Sequence, residues 1–316
     1  MNFNYMKTIL FSILAIGIAV TTEAQTTIKA NFNKGDTTIY ETVSNIKMEL
    51  PMGAGNKEFG VTTTTRYVVL DKTNTGYRLE RTVTKADYKG NKEIANQMGN
   101  SMEKYLTNTP VILLTDTNGK IIKIENYDDV VGKASSVAIA ELEKLYSDNP
   151  QIEAVMPKTK AIMSISAQLE EKNIVDNINE VTFLSFYGKK INNGDKEDRT
   201  LQQGIKAVTT YSINKLQGNI KVTGLSKSNM TENDVKQMMI ANMKKMGMGE
   251  EVTSQIETNW GQMKAMGMTN LDFDSVDNYN FLPSGWISDS TTDGTVKMMG
   301  MNMKITVKTN LDKKNW

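Results

Sequence analysis

Methionine is the residue type here whose number and spacing invite a chemical reading. The chain has 21, with dense runs at 238–268 and 298–303. Thioethers suit soft ions such as copper(I) or silver(I). Met298, Met299, Met301 and Met303 are therefore candidate soft-metal ligands, and the run Met263 to Met268 is similar. The same flexible, polarizable side chain adapts to irregular apolar shapes. On that reading Met239, Met243, Met246, Val252, Ile256 and Trp260 line a cavity for a lipid-like molecule or a partner surface. A third reading is that methionine fills the core. On a strand Met299, Met301 and Met303 point the same way, which favours core for that group.

The other chemistry is bounded by absences in the composition. There is no cysteine and no histidine. Zinc sites of ordinary type, thiol nucleophiles and imidazole acid–base catalysis are excluded. Lys plus Arg number 37 against 36 Asp plus Glu, which removes the electrostatic case for nucleic-acid binding. Ser101 and Lys104 have serine–lysine spacing without the companion motifs. Asp272, Asp274 and Asp277 lack the glycine and closing glutamate of a calcium loop. No cofactor is implied, and the expectation is a binding protein and not an enzyme.

These residues have to be positioned by hairpins. Four segments read as strand, polar turn with Gly, strand: Arg66–Leu70 into Tyr77–Thr84, Val111–Leu114 into Lys120–Ile124, Val208–Ile213 into Ile220–Leu225, and Trp286-Ile287 through Asp289–Gly294 into a long last strand. Period-2 alternation of Ile46, Met48 and Leu50, and of Met301, Met303, Ile305 and Val307, gives each strand one buried face. Helices are expected between hairpins. One starts at Asp128 or Asp129 and buries Val131, Val137 or Ala138, Leu142 and Leu145. A second begins at Pro157 and ends near Ile178. A helical hairpin covers 231–266, with Thr231 and Asp234 close to a capping box and Gly247 and Gly249 at its bend. The fold class is α+β: curved antiparallel sheet built from hairpins, with helices packed across one face.

At the N-terminus an uncharged run from Ile9 to Val20 follows Lys7, too short for the ~20 helical residues that span a bilayer. It reads as a signal peptide over 1–24, with Thr22 and Ala24 at −3 and −1. Residues 25–316 then form one α+β region with no transmembrane anchor. The weak repeat of hairpin, helix and further strands leaves two readings open. One is an internal duplication with its seam at 192–199; the other is one domain with a long loop there.

The Ala-Gln processing site, Lys34-Gly35-Asp36, Asn193-Gly194-Asp195 before a Tyr-led hairpin, and Gly285-Trp286 to Asp293-Gly294 resemble a family of exported envelope proteins of unassigned activity. The layout is also similar in outline to the LolA-type periplasmic lipoprotein-carrier fold. The resemblance implies a periplasmic or secreted protein, its partner an apolar small molecule or another envelope protein. N-terminal sequencing of the protein from an envelope fraction is expected to start at Gln25, with no lipid attached because no cysteine can carry one.

Overall fold

A computed structural model describes residues 25–50, 55–90, 104–155, 157–201, 204–245, 250–298 and 300–315. The strands are β1 (Thr26–Thr27), β2 (Thr37–Glu49), β3 (Asn56–Lys72), β4 (Tyr77–Gly90), β5 (Val111–Thr115), β6 (Ile121–Ile124), β7 (Lys190–Ile191), β8 (Lys196–Thr200), β9 (Lys206–Leu216), β10 (Asn219–Ser228), β11 (Leu271–Phe281), β12 (Ile287–Met298) and β13 (Met301–Asn315). Among the described residues, 11 of them form one open antiparallel sheet in the order β6-β5-β4-β3-β2-β13-β12-β11-β10-β9-β8, and β1 pairs with β7 beside it. With the helices this is an α+β fold. Within the large sheet sequence neighbours pair throughout, except that β2 lies against β13.

Three of the four expected hairpins form. The β9–β10 turn is tighter than its composition implied: Gln217 (φ 51°) and Gly218 (φ 82°) alone connect the strands. Two consecutive positive φ values match the twist of a two-residue hairpin. The fourth expected turn is corrected. Asp289–Gly294 lies inside β12, with Gly294 paired to both Ser275 and Ile305. Its polar side chains are held by the neighbouring strand: Thr292 donates to Asp277 at 2.6 Å and Thr295 to Asp274 at 2.6 Å. β-Branched threonines with satisfied hydroxyls make good strand. The chain reverses instead between Met298 and Met301, where Gly300 takes φ 76°. The expected seam is likewise structured, for Asn192–Asp195 turns directly into the edge strand β8.

The longer helices among the described residues are α1 (Tyr127–Asp148), α2 (Lys158–Gln168), α3 (Glu171–Val181), α4 (Glu232–Lys245) and α5 (Glu250–Ala265). The first starts before Asp128 because Asn126 is anchored to β5, accepting from Ile112 N at 2.9 Å and donating to Pro110 O at 2.9 Å. Its buried stripe is Val130, Ala134, Ala138, Leu142 and Tyr146, while Val137 (43 %) and Leu145 (41 %) are exposed. The two alanines let the helix approach closely, so the face is set by small residues and not by the bulkier ones. The single helix expected over 157–178 is two, broken where Leu169 turns into the core and accepts from Tyr127 Oη at 3.1 Å. The Thr231–Asp234 box forms as expected: Asp234 N donates to Thr231 Oγ1 at 3.2 Å and Thr231 N to Asp234 at 2.9 Å.

All these helices cover one face of the sheet, at its two ends. Helices α1 and α3 and the turn Phe183–Phe186 pack on Tyr40, Tyr67, Leu79 and Leu113. Helix α4 packs on Ala207, Phe273 and Val296. Trp286, fully buried, closes the base of the larger cluster; it stacks on Phe32 with ring centroids 4.0 Å apart and lies 5.9 Å from Tyr67. Tyr187 Oη donates to the adjacent Gly285 carbonyl at 2.8 Å, so the Trp286 turn is tied to the end of the helical layer. Truncating Trp286 to Ala should cost about 3–5 kcal/mol. A guanidinium denaturation curve checks this, with the midpoint expected to fall sharply and the slope to stay the same.

Candidate functional site

A cavity of about 400 Å³ occupies the middle of the covered face, between the two groups of helices. Its lining runs from Arg81 on β4 to Arg199 on β8, strands that are eight positions apart in the sheet order. Laid flat, those strands would stand roughly 38 Å apart at ~4.8 Å each. Sharing one cavity requires the sheet to curl, and the cavity is its concave side.

The strand register shows how the sequence builds the floor. One row reads Ser226, Ser275, Gly294, Ile305, Ile46, Phe59 across β10, β11, β12, β13, β2 and β3. The next reads Gly224, Asp277, Thr292, Val307, Ser44, Val61, and on β4 Tyr88. A third holds Tyr279, Ser290, Thr309, Thr42 and Thr63. Small residues leave the space, since bulky ones at these positions would fill it. In the first two rows side-chain type changes along the groove: hydroxyl and charge at the β10–β12 end, aliphatic and aromatic at the β13–β3 end.

Two hydroxyl pairs lie along the floor. Thr42 and Thr309 pair at 2.9 Å, Thr209 and Ser226 at 2.8 Å. The charged end is different. Asp277 accepts from Thr292 and, at 3.5 Å, from Ser275. Burial pushes its pKa above the ordinary aspartate value, against the opposing pull of its hydrogen bonds and of Arg199. Glu197 is held by Lys189 Nζ, 2.9 Å from both carboxylate oxygens, and by Tyr211 Oη. Tyr279 is pushed well above its ordinary pKa by burial and by the Asp277 charge.

The residues that sequence reasoning nominated lie elsewhere. Met239 is buried against Val235, Met238, Phe273 and Val296 in a closed cluster that Trp260 flanks. Ile256 is buried and Met243 half-buried. Trp260 is tied to the outside of the hairpin, donating from Nε1 to Glu232 at 2.9 Å. Met246, Gly247, Gly249 and the side chain of Val252 lie outside the described residues. Of the other group, Met298 and Met303 pack on the α4 cluster, and Met301 and Met303 on Met48 and Phe59; Met299 lies outside the described residues. No described member of either set lines the cavity. The helical hairpin is a packed wall at one end of the face, and the open volume is beside it. The signal that marks the groove is the alternation of Thr and Ser with aliphatic residues on β2, β3, β12 and β13.

No protein-family model and no curated protein matches the chain. Among solved structures, DynF from the dynemicin biosynthesis pathway of Micromonospora chersina is similar at 7 % identity over 93 % of this chain and 92 % of that one, with a TM-score of 0.19. A score that low carries no argument about fold or function.

The buried Asp277 gives a test of the site's electrostatics. Its folded pKa lies above the unfolded value, so its contribution to stability is least favourable when it is ionised and recovers as pH falls through the folded pKa. Asp277→Asn should therefore raise the melting temperature at pH 7 and leave it nearly unchanged at pH 3. Thermal melts at the two pH values check this.

Proposed function

We propose that the protein is a non-catalytic binding protein of the cell envelope that holds an amphipathic small molecule in the concave groove. The observation that carries this is the zoning of the floor. A cavity of about 400 Å³ falls in the size range of small-molecule sites, which are mostly apolar with a few convergent polar groups. Here the aliphatic end, with Ile46, Ile305, Val61 and Phe59, suits an apolar body. The end with Arg199, Asp277 and Ser275 suits a polar group. Export to the periplasm or exterior rests on the N-terminal apolar run and its processing site, read from sequence.

The order of elements supports a finer reading of the fold as well. From β2 to β6 and again from β8 to β13 the chain progresses across the sheet in the same direction. We read this as a repeated unit whose two copies together curl round one groove.

Titration with the neutral fluorophore N-phenyl-1-naphthylamine tests the binding reading. Saturable enhancement at one site per chain is expected. Ser44→Trp, which places a bulky ring on the central floor between Val307 and Val61, should abolish it with the circular dichroism spectrum unchanged. Met239→Leu, which keeps core volume, should not affect it. Unsaturable binding, or enhancement that survives Ser44→Trp and is lost in Met239→Leu, overturns the groove as the site.

A further inference from the structure

At the hydroxyl-rich end of the groove the balance of donors and acceptors is uneven. Asp277 and Glu197 both have donors: Thr292 and Ser275 on the first, Lys189 and Tyr211 on the second. The half-buried Arg199 differs. It lines the cavity, and among the described residues no hydrogen bond or ion pair engages its guanidinium. Its charge is felt by Asp277 and Tyr279, which line the cavity with it. A guanidinium offers five N–H donors and no acceptor, in a planar fork that fits a carboxylate bidentately.

Resting on the groove reading above, we infer that the occupant is a single-chain amphiphile with a monoanionic head, a carboxylate, which sits on Arg199 while its chain runs along the groove toward Phe59. The direction is set by the register, since from β11 to β3 the floor passes from Ser275 through Gly294 to Ile305, Ile46 and Phe59. Those four strand intervals give the chain roughly 19 Å of floor at ~4.8 Å each. Gly294 marks the change from polar to apolar and leaves the floor without a side chain there. The charge of the head follows from its neighbours. Glu197 is answered by Lys189, so Arg199, facing Asp277, offers its one charge to a singly charged head, and a doubly charged phosphate brings a second negative charge toward Asp277. A cationic head would meet Arg199 directly.

Displacement of N-phenyl-1-naphthylamine by four C12 amphiphiles, each below its micellar concentration, tests the inference: dodecanoate, dodecyl phosphate, dodecanol and dodecyltrimethylammonium. Dodecanoate should compete about tenfold or more better than dodecanol, the size of effect expected of a charge-assisted pair, and better than the phosphate and the cation. Arg199→Gln should lower dodecanoate to the level of dodecanol and leave dodecanol unchanged, whereas Arg199→Lys keeps part of the preference. Asp277→Asn should tighten dodecanoate by removing a neighbouring negative charge. Equal competition by dodecanoate and dodecanol, insensitive to Arg199→Gln, overturns the head assignment and leaves the groove standing. A dodecyl phosphate preference overturns the carboxylate. Absence of competition by every amphiphile, with the fluorophore itself unbound, overturns the groove reading as well.

Discussion

The pairing of β2 with β13 is the contact on which the rest of the architecture depends. Thirteen residue pairs, from Asn302 opposite Glu49 to Asn315 opposite Thr37, join strands some 250 residues apart in sequence. Remove that ladder and two separate meanders remain, β2 to β6 and β8 to β13, each with half of the groove floor. With it, the sheet is continuous, and Ile305, Val307 and Thr309 come to lie beside Ile46, Ser44 and Thr42. The center of the groove is this seam. Its shape depends on a register that a slip of one residue would invert, sending the floor side chains to the outer face.

The helices complete the site by leaving its middle open. Tertiary packing draws α1 and α3 to the end of the sheet where Tyr40, Tyr67 and Leu79 are large, and α4 to the end where Phe273 and Val296 are. Between them the floor residues are too small to hold a helix by apolar contact. A groove follows from the same residues that fail to make a core. The polarity of that strip then follows from which side chains are small: serine and threonine supply hydroxyls, and valine and isoleucine supply surface.

Much of this layout can be read in the chain before any coordinates. Alternation on β2 and β13 gives the inward face, and Thr231 with Asp234 marks the start of α4. Turns are harder. Asp289 to Gly294 has loop composition, yet its polar groups are answered by Asp277, Asn278 and Asn280 of the next strand, a fact that only pairing reveals. The groove is hard to see in the sequence for a related reason. Methionine is conspicuous by number, but Met239 and Met303 sit where helices cover the sheet, and number does not report exposure. Arg199 is one charge among many in a polar stretch, and its position in the groove depends on β8 closing the sheet's far edge.

The placement of the first long strand against the last has a kinetic meaning. A chain with this connectivity has high contact order at its center, because the ladder that unites the sheet closes the longest loop in the fold. Closing that loop carries an entropic cost before any of its pairs can form. Until then β2 and β13 are both unpaired rims carrying β-branched residues, open to the wrong partner, including the same strand of another molecule. Folding from a complete chain makes both rims available at once. Folding as the chain emerges would leave the first rim waiting for its partner through nearly the entire length of the polypeptide.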